Sequence, residues 1–502
     1  MKKLLALLLA LTMMLTMLAA CKGNDEPQET QGSQSTNKPS NQPEDDEEEY
    51  DITELLPVDL NYQNQEVTLC VRGDTVQQWE IGLQEDDAQP LTLELYDRTS
   101  RTEERIGVSL AIDVVETCDK YNDAVAKIRN SIQYQEHKWD IVVGLSWRIP
   151  QLASEGLYYN LNNFDYFDSS NVWWSQSLAK ELTVNERMFM ATGDLSIDYM
   201  ESAHAVFFNQ SLAKAMEMDY NTFYKTVSEG KWTFDELYNL SKDAYVDLNG
   251  STTRDSSDQY GLLIKSTMLQ AFYTAAGCNM IPNDGESRPE FNVNTEYLEQ
   301  VWTKVQKLVM ASSTVEEATN SIGISSFSGY FREGKALFAI SMLETLKRNT
   351  DMTDGFGVLP MPKYDEAQTS YYTQLHSCEL WSIPVDANDP DMSAAVMSSM
   401  GYDSHEVVLE PHIEKLLKTR YVKDSASGYM IDTIYYNIYM NFDSIYNEVL
   451  MPGPNFSDKT QMPMFVLGAL LNGSYGSAAA WWTSNQSGLT AELEKILEGF
   501  YN

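Results

Sequence analysis

The chain has 502 residues, 43% of them hydrophobic, with ten tryptophans and 29 tyrosines. This composition predicts a globular protein, and because single cores stop growing near about 250–300 residues, at least two lobes are expected. The formal net charge of −39 argues against nucleic acid as a partner, since phosphate binding requires clustered Lys and Arg.

Residues 1–20 have the layout of a secretory signal peptide. Lys2 and Lys3 precede an apolar stretch over residues 4–18, and the small residues Ala19 and Ala20 follow it. The apolar stretch is shorter than the about 20 residues that a membrane-spanning helix requires. The pattern therefore favours a cleaved signal peptide over a retained anchor.

The sequence LAAC at residues 18–21 resembles the lipobox of bacterial lipoproteins. In that group the cysteine thiol receives a diacylglycerol, and the cysteine becomes the N-terminus after cleavage. The resemblance implies that Cys21 is lipidated and that the protein is anchored to the cell membrane, facing outside the cytoplasm. An ordinary cleaved signal with an incidental cysteine is the alternative.

Residues 21–62 are predicted to be the lipidated cysteine and a flexible acidic linker. Residues 22–50 contain no aliphatic side chain and close with the acidic run at residues 45–49. Such a composition cannot bury enough apolar area to offset the entropy of ordering. A disordered tail without a task would have the same composition.

Strand and helix patterns alternate beyond this linker. The β-rich or alternating segments predict strands over residues 66–71, 108–112 and 140–143. Apolar periodicity predicts a helix over residues 119–134, and residues 91–106 and 149–155 also read as helices. The alternation favours an α/β fold with a parallel sheet, in which ligands bind beyond the carboxyl ends of the strands.

The segment WDIVVGLSWRIPQLASEGLYYNLNNF at residues 139–164 resembles the signature of extracytoplasmic solute-binding proteins of ABC importers, the maltose-binding-protein-like group of family 1. Further segments follow in the order of that family: MFMATGDLSI (188–197), AVFFNQSLAKAM (205–216), GKWTFDELYNLSKDA (230–244), YFREGKALFAISM (330–342) and GFGVLPMPKYD (355–365). Each segment is degenerate alone, and the resemblance rests on their order and spacing.

The resemblance implies a two-lobed periplasmic-binding-protein-like (type II) α/β fold with a ligand cleft between the lobes. One lobe would comprise residues 63–195 plus 340–395, and the other residues 196–339 plus 396–502. It further implies a monomeric, non-catalytic protein that captures a mono- or oligosaccharide for the permease subunits of an ABC importer. A binding protein for a peptide or other polar solute and a surface-anchored glycan-acting enzyme are the alternatives.

Trp147 and Arg148 are the first predicted ligand contacts, because they follow the strand at 140–143, where an α/β sheet exposes its cleft loop. A sugar has apolar faces and hydroxyl edges, so its site needs an aromatic platform with polar groups at the sides. A Trp147 ring packed under the next helix is the alternative interpretation.

The family resemblance adds five further contacts. It places Asp194, Tyr199 and Glu201 at the floor of the cleft, where the chain first crosses between lobes. Asp194 would accept hydrogen bonds from hydroxyl groups or merely cap a turn. Glu344 lies just beyond the second crossing, and Trp381 lies in the returning lobe.

No metal ligand set, catalytic motif or cofactor is predicted. His405 and His412 are seven residues apart, about 10 Å along a helix axis, which is too far to share one metal. Residues 329–336 come close to a phosphate-binding P-loop, but Ala336 lacks the required hydroxyl and a strand is predicted to follow.

The cysteines beyond Cys21 are widely spaced and have no zinc-site pattern. We expect Cys70, Cys118, Cys278 and Cys378 to be mostly buried small hydrophobic residues. The sequence does not decide whether Cys70 and Cys118 form a disulfide.

Overall fold

The computed structural model describes most of the chain beyond the predicted linker. The described residues are 50–73, 80–83, 91–115, 121–316, 322, 324, 326–409, 411–422, 424–451 and 461–501. The predicted signal peptide, Cys21, most of the linker and Cys118 lie outside this part. Within it, no helix combines the length and apolarity needed to span a membrane. Cys70, Cys278 and Cys378 are buried free thiols, which confirms the expectation for these three.

The first sheet has four strands in the order β11–β3–β1–β2. The strands are β1 (Gln65–Val71), β2 (Val108–Val114), β3 (Ile141–Leu145) and β11 (Glu379–Ser382). β1 is parallel to β2 and β3, and β11 is antiparallel to β3. Every residue of β3 is buried, as expected for a parallel strand covered on both faces. The three predicted strands are confirmed, and β11 adds an antiparallel edge.

The helices that pack around this sheet were largely predicted. They are α1 (Thr92–Ile106), α2 (Tyr121–Gln133), α3 (Pro150–Ser154) and α13 (Pro390–Asp403). α1 ends at Gly107, whose φ of 66° is the left-handed conformation common after a helix. Tyr62 and Asn64 donate backbone hydrogen bonds to Ile106 and Gly107, so this helix end directs the chain into β1.

The second sheet has five strands in the order β10–β6–β9–β7–β8. The strands are β6 (His204–Asn209), β7 (Tyr260–Ile264), β8 (Thr314–Glu316), β9 (Ala336–Met342) and β10 (Phe356–Pro360). β7 is parallel to β8 and β9, whereas β6 is antiparallel to β9 and β10. The predicted boundary gives residues 356–360 to the first lobe, but their pairing places them in the second sheet. The boundaries themselves stay a prediction.

The remaining elements connect or cover the two sheets. The short hairpin strands are β4 (Thr183–Val184) and β5 (Arg187–Met188). The helices are α4 (Gln176–Leu182), α5 (Ile197–Glu201), α6 (Gln210–Ala215), α7 (Asn221–Ser228), α8 (Phe234–Ser241), α9 (Leu269–Ala275), α10 (Thr295–Val309), α11 (Phe327–Arg332), α12 (Thr345–Asn349), α14 (Ser425–Tyr435), α15 (Phe442–Ile445), α16 (Val466–Leu471) and α17 (Ala478–Tyr501). Two π-helical segments, Ser404–Leu409 and Pro411–Tyr421, follow α13.

Side-chain caps fix several helix starts. Thr233 accepts a hydrogen bond from the Glu236 backbone N–H at 3.3 Å and so caps the start of α8. Asn209, the last residue of β6, accepts one from the Leu212 N–H at 2.8 Å and begins α6. In the P-loop-like segment, α11 precedes β9. That order is the reverse of a phosphate-binding loop, as predicted.

The C-terminal helix α17 contacts elements near both sheets. It packs against α3 beside the first sheet and against α10 beside the second. A side chain at Gly499 would meet the Ser154 carbonyl oxygen at 2.7 Å. The absence of a Cβ atom here therefore allows α17 to approach α3 closely, which forms one wall of a cavity described below.

Candidate ligand site

The chain crosses from the first sheet to the second between β5 and β6. Ala191 exchanges backbone hydrogen bonds with Trp381 of β11, at 2.9 and 2.8 Å. α5 follows, and β6 begins at His204. This crossing carries three of the predicted ligand contacts, Asp194, Tyr199 and Glu201.

Asp194 binds two side chains from distant parts of the chain. Its Oδ1 accepts a hydrogen bond from the Tyr435 hydroxyl at 2.6 Å, and its Oδ2 lies 2.7 Å from Nδ1 of His405. Burial and the nearby Asp194 carboxylate raise the pKa of Tyr435, so the phenol keeps the proton that it donates. Asp194 thus ties the crossing to α14 and to the first π-helical segment.

Tyr199 lines a small cavity beside Asp194. Its hydroxyl lies 2.7 Å from the Ser175 hydroxyl, and its ring meets the Tyr435 ring edge-on, with centroids 6.3 Å apart. The cavity measures about 10 Å³, and His412 also contributes to its wall. This is room for about one water molecule, so in this conformation the cavity is too small for a sugar.

The buried Glu201 forms an ion pair at the end of α5. Nζ of Lys347 lies 2.5 Å from its Oε1, and Nε2 of His412 lies 3.6 Å from the same oxygen. Burial raises the pKa of Glu201, and the attraction of Lys347 opposes this. Burial also lowers the pKa of His412 to about 3, which makes its imidazole neutral at physiological pH.

His412 has unmet hydrogen-bonding capacity. It is 2% exposed, and neither ring nitrogen has a hydrogen-bond partner among the residues that the structure describes. A neutral imidazole offers one donor and one acceptor. We refer to Asp194, Glu201, Lys347, His405, His412 and Tyr435 together as the crossing cluster.

Three further carboxylates converge beyond the end of β1. Glu80, Asp198 and Glu379 each place one oxygen within 4.8 Å of the other two, and we call them the carboxylate triad. Arg72, which follows β1, lies 2.6 Å from Glu379 and 3.6 Å from Asp198. Oxygen ligands in such a group suit a hard cation.

The triad carries strongly shifted pKa values. Burial is the main cause, and repulsion by Asp198 adds to it at both Glu80 and Glu379. The pKa of Glu379 rises to about 8, and those of Glu80 and Asp198 also rise. The attraction of Arg72 opposes this rise at all three carboxyl groups.

A larger cavity lies between the loop after β3 and the C-terminal part of the chain. It measures about 490 Å³ and is lined by Trp147, Arg148, Gln151, Ser154, Glu155, Glu448, Val449, Met451, Glu492, Lys495, Ile496 and Glu498. We call it the outer cleft. Its volume falls in the range of small-molecule sites.

Two polar contacts position the predicted residues in the outer cleft. Nε1 of Trp147 donates a hydrogen bond to the His376 carbonyl oxygen at 2.8 Å, and the two rings meet edge-on with centroids 4.9 Å apart. Arg148 forms an ion pair with Glu448. Trp147 is half-buried, so its ring is anchored at one edge while it lines the cleft.

The structure separates the seven predicted contacts. Trp147 and Arg148 line the outer cleft, whereas Asp194 and Glu201 belong to the crossing cluster, beside Tyr199. Glu344 donates a backbone hydrogen bond to the Glu201 carbonyl oxygen at 2.8 Å. Trp381 is 2% exposed in β11 and lines neither cavity, so the structure gives it a core position. The role of each residue in ligand binding stays a prediction.

Sequence reasoning missed the partners Lys347, Tyr435 and Glu448 of these residues. It also missed the carboxylate triad and Arg72. It considered His405 and His412 only as ligands of one shared metal, which their spacing excluded. A signal was nevertheless present, because Asp194 and Glu201 are seven residues apart, as are His405 and His412. The structure pairs them in that order, with one histidine beside each carboxylate.

Comparison with known proteins identifies the fold. The chain matches no protein-family model, and no curated protein matches its sequence. Solved structures do match. An ABC substrate-binding protein from Listeria monocytogenes, in complex with cycloalternan, is 12% identical with a TM-score of 0.50, covering 87% of this chain and 99% of that chain.

Two more structures extend the match. A cyclo/maltodextrin-binding protein complexed with maltotetraose is 13% identical, with a TM-score of 0.53 and coverage of 88% and 98%. A sugar transporter from Rhizobium etli in an open conformation is 12% identical, with a TM-score of 0.54 and coverage of 86% and 98%. The chain therefore has the two-lobed α/β fold of ABC substrate-binding proteins, which confirms the fold expected from the resemblance.

Proposed function

We propose that this protein is the substrate-binding protein of an ABC importer and that it captures a mono- or oligosaccharide without chemical conversion. One observation supports this most. Asp194, Glu201 and His412, whose ring nitrogens have no hydrogen-bond partner among the described residues, gather where the chain crosses between the sheets of a fold shared with sugar-binding proteins. In α/β folds, ligands bind beyond the carboxyl ends of the strands.

The chemistry of the two regions suits a carbohydrate. Hydroxyl groups donate to carboxylates such as Asp194 and Glu201, and neutral His412 both donates and accepts. The half-buried Trp147 ring offers an apolar surface for the face of a sugar, and Arg148 and Glu448 place polar groups beside it. These features complement a neutral polyol better than an apolar solute.

Capture would work through a change between two conformations. A ligand that contacts the edges of both sheets stabilises the closed conformation by the difference between its affinities for the closed and the open conformation. Closure then presents a distinct surface to permease subunits. The Cys21 lipid would hold a monomeric protein at the outer face of the cell membrane, because several acyl chains anchor far more firmly than one.

A thermal-unfolding screen with neutral mono- and oligosaccharides tests this function. A saccharide at 100 times its Kd should stabilise the folded state by about 2.7 kcal/mol. Chromatography of the same sample should recover the saccharide unchanged. Stabilisation only by peptides would favour a peptide-binding protein, and conversion of the saccharide would show an enzyme; either result would refute the proposal.

A further inference from the structure

The helix α4 and the hairpin after it are attached to the side of the first sheet. Just before α4, the Ser175 backbone N–H donates a hydrogen bond to the Thr192 carbonyl oxygen at 2.9 Å, and the neighbouring Ala191 pairs with β11. In the hairpin, the Met188 N–H donates to the Asn160 side chain at 2.9 Å. Both ends of this segment are therefore fixed on the side of the first sheet.

Residues 438–443, which pack against α4, are attached to the side of the second sheet. The Asn441 side-chain amide donates a hydrogen bond to the Cys278 carbonyl oxygen at 2.8 Å, and the Tyr273 hydroxyl donates to the Asp443 carboxylate. Tyr273 lies in α9, which follows β7 of the second sheet. The contact between α4 and residues 438–443 therefore joins the two sides.

Hydrogen bonds from polar side chains connect the two sides at this contact. The Ser177 hydroxyl of α4 donates to the Ile438 carbonyl oxygen at 2.9 Å. The Asn283 side-chain amide, from the segment between α9 and α10, donates to the Glu181 carbonyl oxygen at the end of α4 at 3.0 Å. We call the contact made by Ser177, Glu181 and Asn283 the α4 junction.

Glu181 is the ionisable residue of the α4 junction. It is 3% exposed, and its carboxylate accepts hydrogen bonds from the Tyr439 hydroxyl at 3.1 Å and from the Phe442 N–H at 2.9 Å. Burial raises its pKa to about 7, repulsion by Asp443 adds to the rise, and the two hydrogen bonds and Lys180 oppose it. A carboxyl group that contacts both sides therefore changes its charge near neutral pH.

The other titratable groups around the α4 junction do not replace Glu181 in this role. Burial raises the pKa values of Tyr273, Cys278 and Tyr439 above their ordinary values, so all three stay neutral at physiological pH. Burial raises the pKa of Asp443 to about 7, but its hydrogen bond with Tyr273 lies within the side of the second sheet. Ionised Asp443 repels ionised Glu181 and so acts in the same direction.

We propose that the α4 junction makes the change between two conformations depend on pH: protonated Glu181 stabilises the arrangement described here, and its ionisation favours separation of the two sides. The inference rests on the two conformations proposed above. A protonated carboxyl group still accepts from the Phe442 N–H and exchanges a hydrogen bond with the Tyr439 hydroxyl. Separation hydrates the carboxylate and removes the cost of burying its charge. The separated conformation then binds fewer protons and gains population as the pH rises.

The distance between two spin labels in the full chain, without any saccharide, tests this inference. Tyr134→Cys and Met310→Cys place the labels at exposed positions after α2 and after α10, one on each side, and the singly substituted chains identify any signal from native cysteines. The distance seen at pH 5 should give way to a second one. Because each pH unit between two pKa values changes the equilibrium by up to tenfold, the ratio of the two populations should change by at least about tenfold between pH 5 and pH 8.

Glu181→Gln should remove most of this pH-dependent change, since an amide does not titrate. The control is Glu186→Gln, which removes an exposed carboxylate from the hairpin after α4 and should leave the change as it is. Identical distances at pH 5 and pH 8 in the labelled chain would overturn the inference, whether or not the variants fold. So would an equal change in a folded Glu181→Gln variant. Because no saccharide is present, either result leaves the proposed capture of a carbohydrate intact.

Discussion

The crossing cluster and the outer cleft lie in the same fold but differ in their side-chain contacts and in the volume that they enclose. In the crossing cluster, buried acids contact Lys347, Tyr435 and two histidines around about 10 Å³ of space. In the outer cleft, a half-buried tryptophan and one ion pair border about 490 Å³. In this conformation the outer cleft has room for a ligand, whereas the crossing cluster does not.

The largest effect expected from a single substitution comes from removing the positive charge of Lys347. Lys347→Met leaves the buried Glu201 carboxylate without its ion-pair partner. The free energy of unfolding should fall by about 2–3 kcal/mol, less than the about 3–5 kcal/mol of a fully buried pair, because the Lys347 side chain is 38% exposed. Urea denaturation measures this change.

Two further variants complete that experiment. Lys225→Met removes the same side chain from an exposed pair with Glu229, 3.6 Å apart, and should cost less than about 1 kcal/mol. Adding Glu201→Gln to Lys347→Met should restore most of the loss, since it removes the unpaired charge. Equal losses of unfolding free energy in Lys347→Met and Lys225→Met would show that the Lys347–Glu201 pair contributes no more than an exposed surface pair.

A second prediction concerns buried acids held by hydrogen bonds instead of a contacting cation. Burial raises the pKa values of Glu181 and Asp443 to about 7 each. At a pH between about 4, the pKa of these groups in the unfolded chain, and about 7, their pKa in the folded chain, the folded state binds more protons than the unfolded state. The free energy of unfolding should therefore fall as the pH rises, by about 5 kcal/mol for the two groups together between pH 5 and pH 8.

Denaturation curves across that range measure the slope. Glu181→Gln and Asp443→Asn should each make it shallower, since an amide does not titrate. Repulsion within the net charge of −39 also contributes to the slope, but it is nearly the same in these variants. A slope that neither variant changes would assign the pH dependence to that general repulsion.

A substitution in the outer cleft is expected to have the smallest effect on stability and the largest effect on saccharide binding. Trp147→Ala should weaken saccharide binding about tenfold, or about 1.4 kcal/mol, with little change in fold. Tyr134→Ala removes an aromatic ring that is 77% exposed and should bind normally. Unchanged affinity in Trp147→Ala would show that the outer cleft is not the ligand site.

Local sequence patterns predicted the elements better than the site. The strand Ile141–Leu145 is buried on both faces and therefore reads as a run of apolar residues. The helix Thr92–Ile106 also followed from its periodicity. Chain length predicted at least two lobes, but how they are built was predicted only through the family resemblance, because no local pattern reports how distant segments pack.

The site depends on contacts between residues far apart in the chain. Arg148 contacts Glu448 across 300 positions, and Arg72 contacts Glu379 across 307. Neither pair has a signature at either end, since charged residues are frequent throughout the sequence. Trp381, which follows a polar stretch of sequence, is a buried residue of an edge strand, and its role in ligand binding stays a prediction.

Calorimetric titration of the wild-type chain with the saccharide that stabilises it most tests the proposed capture of a sugar most directly. We predict saturable binding at one site, weaker by about tenfold in Trp147→Ala, with the saccharide recovered intact afterwards. Absence of binding by every saccharide of the panel, or hydrolysis of the bound one, would contradict it.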